Sequence, residues 1–94
     1  MKVDSMAERT ATVRSSVGLH ARPAAIFTRA AEDAGIPVRI SKRGAAPQDA
    51  ASILGVMTLG VNFGDEVILQ ADGPGAEAVL DSLVDLLGQD LDAP

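Results

Sequence analysis

The sequence predicts a small α+β domain in which helices cover one face of a four-stranded, mostly antiparallel sheet. Three observations point there. Short stretches that alternate apolar and polar residues are interleaved with two longer ones whose apolar residues recur every three or four positions. Glycine and proline punctuate the boundaries, at Gly18, Gly35, Gly44, Pro47 and Gly73-Pro74-Gly75. Ninety-four residues leave room for one core rather than two, so residues 1–94 read as a single domain. The order of elements is βαββαβα, without repeat or linker. Periodicity leaves the strand order open, and a ferredoxin-like ligand-binding module shares the same pattern.

Taken in order, Arg9-Thr10-Ala11-Thr12-Val13-Arg14 alternates with period two and forms the first strand, with Ala11 and Val13 on one face. Residues 15–19 turn, Gly18 supplying the backbone freedom of a tight approach. From Ala21 to Ala34 the apolar stripe Ala24, Phe27, Ala30, Ala31 and Ala34 marks a helix, with Arg29, Glu32 and Asp33 facing water. Gly35 ends it. Residues 37–41 form the second strand, and a turn over residues 42–48 leads to a short third one. Ser52 stands where it accepts from the free amides of a short helix carrying Ile53, Leu54, Val56, Met57 and Leu59. Residues 65–71 are the fourth strand, and Ala76, Val79, Leu80, Leu83, Leu86 and Leu87 give a last amphipathic helix running to about Asp90.

Composition narrows the function classes. With no cysteine and one histidine the chain has neither a disulfide framework nor a zinc site of the usual kind, so no metal or other cofactor is expected. No segment has the length and apolarity of a signal peptide or membrane span, which predicts a cytoplasmic protein without membrane insertion. Met6-Ala7-Glu8 can itself serve as a start, so residues 1–5 are read as a disordered extension. The net charge of −5 is uneven: all eight basic residues lie in the first 43, and residues 44–94 carry nine acids and no base. With only two aromatic residues, Phe27 and Phe63, and no broad basic face, nucleic acid is excluded as a partner. No Gly-x-x-x-x-Gly-Lys loop is present, and nothing demands a dimer, so a monomer is expected.

The single histidine carries the chemistry. His20 lies in Gly18-Leu19-His20-Ala21-Arg22-Pro23-Ala24-Ala25, immediately ahead of the first helix. A helix start leaves backbone N–H groups without partners and carries partial positive charge, so phosphate oxygens meet ready donors there. Pro23 falls in the first turn, where its missing N–H costs the helix ladder nothing. Imidazole is largely neutral near pH 7 and attacks phosphorus without an activating base. The phosphoimidazole keeps a good leaving group, which is the behaviour of a carrier rather than a hydrolase. Arg14 and Arg22 flank the ring and favour its phosphorylated form. No carboxylate, lysine or metal centre is placed to make the chain a self-sufficient catalyst.

The His20 segment resembles the active-site motif of HPr, the histidine phosphocarrier of the phosphoenolpyruvate-dependent sugar phosphotransferase system. A second block, Ala51-Ser52-Ile53-Leu54-Gly55-Val56-Met57-Thr58-Leu59-Gly60, is similar to that family's regulatory-serine segment and follows at the right distance. The resemblance runs from about Glu8 to Leu91 and implies an open-faced β-sandwich. It further implies attack by Nδ1 of His20, phosphate oxygens accepting from the amides of Ala21 and Arg22, and charge compensation by the Arg22 guanidinium. The implied donor is Enzyme I, and the implied acceptors are IIA components of sugar permeases. Ile53, Leu54 and Met57, beside a rim of Ala24, Ala25 and Gly55, are expected to dock these partners. A serine kinase acting on Ser52 is a further implied partner. The chain departs from the family pattern at Ala51, where a lysine is common, at Val17, where a small polar residue is common, and in a 41–50 loop one residue longer. The alternatives are a regulatory or nitrogen-branch HPr paralogue acting as a protein-binding module, and the ferredoxin-like ligand binder.

Overall fold

Seven elements follow one another in the computed structural model, which describes residues 6–92: β1 (Ala7–Thr12), α1 (Ala21–Asp33), β2 (Val38–Ser41), β3 (Gln48–Asp49), α2 (Ile53–Thr58), β4 (Glu66–Ala71) and α3 (Ala76–Leu87). The reading of residues 1–5 as an extension lies outside the described residues. The strands form one sheet in the order β1-β4-β2-β3, and every neighbouring pair is antiparallel. Ala7 stands opposite Ala71 and Ala11 opposite Val67, while Ile40 faces Leu69 from the other side of β4. This register puts Ala7, Ala11, Val38, Ile40, Val67, Leu69 and Ala71 on one face, all buried. Alternate positions such as Glu8, Thr10 and Glu66 meet solvent, and Gln70 donates across that open face to Glu8 at 3.0 Å. The sheet is therefore open on one side, as the alternation predicts.

Helices cover the apolar face. Ala24, Phe27 and Ala31 of α1, Val56 of α2 and Ala76, Leu80, Leu83 and Leu87 of α3 close one continuous core over the strands. Pro23 and Thr28 are buried as well, and the Thr28 hydroxyl donates to the Ala25 carbonyl at 3.2 Å, which satisfies it without leaving the helix. On α3, Asp81 accepts from Arg9 Nε at 2.8 Å, with Glu77 3.7 Å from the same guanidinium. These exposed pairs align α3 along β1 and add little stability. Among the described residues, no helix is long and apolar enough to cross a membrane.

Two elements, β1 and α3, have ends that differ by more than one residue from the sequence expectation, for definable reasons. The first strand lies two residues earlier than residues 9–14, because the alternation outlasts the ladder. Val13 stays fully buried and exchanges bonds with the loop ahead of β4, its N–H to the Asp65 carbonyl at 2.9 Å and its carbonyl from the Gly64 N–H at 2.7 Å. The last helix stops at Leu87 rather than Asp90. Gly88 caps it by donating to the carbonyls of Val84 and Asp85, and Leu91 reaches the core from a non-helical tail. That tail returns to the loop before α1. Ser15, fully buried, accepts from the Leu91 N–H at 3.0 Å and lies 3.4 Å from the Gln89 carbonyl, and the Asp90 carboxylate accepts from the Ser16 N–H at 3.2 Å.

Candidate functional site

The loop carrying His20 is held from two sides. The tail after α3 fixes Ser15 and Ser16, and the Leu19 N–H donates to the Val61 carbonyl at 3.0 Å. At Gly18 the two loops touch. Its φ of +70° lies in the left-handed region, and a Cβ there would stand 2.2 Å from the Val61 oxygen and 2.7 Å from Asn62 Cα. Only glycine fits, for conformational and steric reasons together.

His20 is the N-cap of α1, with extended backbone (φ −124°, ψ 159°), and its side chain makes no capping hydrogen bond. The imidazole is half-buried, and among the described residues no hydrogen bond or ion pair engages it. Ala24 makes the first helical bond, to the His20 carbonyl at 3.4 Å, and Pro23 has no N–H to place. The amides of Ala21 and Arg22 thus stand ahead of the ladder, without an i−4 acceptor. Ala21 has φ +47°, a left-handed conformation that costs an alanine about 1 kcal/mol. Arg22 is exposed, and among the described residues no carboxylate pairs with it. An imidazole without a capping bond, two backbone donors outside the helix ladder and an exposed guanidinium therefore share one helix start, a combination suited to a tetrahedral dianion. Arg14 is exposed beyond the end of β1, its N–H bonded to the Leu87 carbonyl at 3.0 Å.

The second block lies on α2, which packs against α1. Ser52 is its N-cap and accepts from the Gly55 N–H at 3.0 Å, as the sequence predicts. Val56 and Leu59 face inward, whereas Leu54 is 74% exposed and Ile53 and Met57 are also exposed. Ala25 on α1 is exposed too. Ala24 requires a correction. It is 0% exposed, because it shares the face of Phe27 and Ala31 at helical spacing, and it has no surface to offer a partner.

The sequence reading gave Phe63 no place at the surface; it is exposed, as is Val17, the residue singled out near His20 for its departure from the family pattern. Turn formers Asn62 and Gly64 on either side of Phe63 are the signal that marks it as a loop residue. Its loop is anchored by Lys42, whose ammonium donates to the Gly60 carbonyl at 2.9 Å and lies 3.1 Å from the Asp65 carboxylate. Asp65 in turn accepts from the Asn62 N–H at 2.9 Å. That backbone donor, followed by the Lys42 ammonium, holds the Asp65 carboxyl below the usual carboxylate range, against a smaller opposing effect of desolvation.

A family profile described as the PTS HPr component phosphorylation site matches residues 7–89. The chain belongs to the HPr family. Phosphocarrier protein HPr of Streptomyces coelicolor is 48% identical over 87 residues, covering 93% of this chain and 94% of that one. Among solved structures, HPr of Thermoanaerobacter tengcongensis superposes with a TM-score of 0.84 at 35% identity, over 94% of this chain and 98% of that one. HPr of Bacillus anthracis also gives 0.84, at 31% identity over 89% and 99%. The open antiparallel sheet with three helices is thus the HPr fold, and membership in the family carries a phosphocarrier role in the phosphotransferase system.

Proposed function

We propose that this chain accepts a phosphoryl group from Enzyme I on Nδ1 of His20 and passes it to IIA components of sugar permeases, acting in the cytoplasm as a monomeric single domain. The observation that carries this reading is the uncapped His20 imidazole beside two amides free of the helix ladder. On acceptance the Nδ1 lone pair forms a bond to phosphorus as the bond from phosphorus to the donor's leaving atom breaks, and that atom departs with the bonding electrons; on donation the acceptor's nucleophile bonds to phosphorus as the Nδ1–phosphorus bond breaks, and its electron pair returns to Nδ1. The proton stays on Nε2, so the phosphorylated ring is cationic and readily gives the group up again. The amides of Ala21 and Arg22 bind the phosphoryl oxygens, and the Arg22 guanidinium offsets the added charge. Because these donors sit in place before the group arrives, stabilisation requires little rearrangement.

Docking falls to Ala25 and the outer face of α2 at Ile53, Leu54 and Met57. Ser52 serves as a regulatory site for a serine kinase, where a phosphate would lie at a helix start. Incubation with phosphoenolpyruvate and Enzyme I tests the central step. Intact mass should rise by one phosphoryl group, the label should be lost in acid, and His20→Ala should remain unlabelled. Absence of label on wild type while a control HPr is charged in the same tube, or acid-stable label on His20→Ala, would overturn the assignment.

A further inference from the structure

We infer that Phe63 is a preformed aromatic anchor for the proteins that exchange a phosphoryl group with His20. The inference rests on the carrier reading above. Phe63 is 56% exposed, and hydrogen bonds tie the backbone on either side of it. Asn62 and Asp65 close the turn reciprocally, the Asn62 N–H to the Asp65 carboxylate at 2.9 Å and the Asp65 N–H to the Asn62 carbonyl at 3.0 Å. Gly64 is tied to Val13 at 2.7 Å, and Lys42 bridges Gly60 and Asp65. A large apolar ring held in water on so constrained a turn does nothing for the core. An aromatic on a rigid backbone loses little freedom on binding, and this is the usual character of an interface hot spot.

Its position matches the partner that the chemistry demands. A phosphoryl exchange requires the partner's reacting atom to reach His20, so the partner's footprint surrounds that residue. A standard footprint of about 800 Å² per side extends roughly 16 Å from its centre. The Gly18 contact with Asn62 brings the two loops together, and with about 3.8 Å between consecutive Cα atoms the Phe63 Cα lies within roughly 16 Å of the His20 Cα. Val17, also exposed, neighbours the same junction. Donor and acceptors use His20 in turn and must share this footprint. The occupant is therefore a protein presenting its phosphorylatable residue next to an apolar pocket, gripped at α2 and again at Phe63.

Steady-state transfer from Enzyme I tests the idea with Phe63→Ala and Phe63→Leu, alongside thermal melts of each. The KM of Phe63→Ala for transfer should rise about tenfold with kcat held, Phe63→Leu should recover most of the loss, and both should melt with wild type. An unchanged KM with wild type fully active would reject the anchor and leave the carrier reading intact. So would a loss confined to kcat or accompanied by a lower melting temperature. If wild type itself takes no label, the carrier reading fails and the anchor falls with it.

Discussion

Gly18 joins the geometry of the loop to the chemistry of the neighbouring histidine. A methyl group there would collide with the Val61 carbonyl in a backbone conformation that alanine already disfavours. Gly18→Ala should lower the unfolding free energy by about 3 kcal/mol, measured by urea denaturation, and slow phosphoryl transfer by displacing His20. A change below about 0.5 kcal/mol would mean that the two loops separate freely. At this scale most of the candidate site was legible in the sequence. His20, Ala21 and Arg22 are contiguous, so their juxtaposition is a property of the chain and needs no tertiary contact. Phe63 was not legible, because its meaning depends on which distant loop it meets.

On α2, six residues are divided between two tasks. Val56 on the helix and Leu59 beyond it fill the core, while Leu54 projects to 74% exposure. Leu54→Asp should therefore leave folding within about 0.5 kcal/mol of wild type, yet lower the efficiency of transfer from Enzyme I about tenfold. Equal transfer kinetics for the two proteins would remove α2 from the docking surface. The elements themselves were largely readable from period and punctuation, and the errors have physical causes. Val13 keeps the alternation of β1 although the ladder has ended. Leu91 falls four residues after Leu87 and prolongs the apolar pattern, but Gly88 has already closed the helix, and Leu91 is held by Ser15 instead. Ala24 was legible as core from its spacing to Phe27, which is why it cannot also serve the rim.

For the whole molecule, one ion pair ties the turn after β2 to the loop that precedes β4. The Asp65 carboxyl titrates lower in the folded protein than in the unfolded chain, chiefly through the Asn62 N–H and then Lys42. Between those two values the unfolded chain binds more protons, so stability rises with pH. The contribution is complete above the ordinary carboxylate value of ~4 and disappears as pH falls through the folded one. Asp65→Asn should accordingly be less stable at pH 7 and lose less on acidification, so that its urea midpoints approach wild type as pH falls below the ordinary carboxylate range. Two curves that stay parallel would assign the acid sensitivity to other groups. Long-range pairing of this kind was invisible in the sequence, where Lys42 reads only as the start of a turn.

The strand order has a consequence for how the molecule comes into being. β4, sixth of the seven elements, is one of two interior strands, and both β1 and β2 pair with it. Ala7 leaves the ribosome early and waits for Ala71, so the sheet closes late and through distant pairings that fold slowly. His20, Arg22, Ser52, Leu54 and Phe63 all precede β4. A nascent chain halted before Glu66 already carries every one of these groups, and it lacks the strand that would hold them in one place.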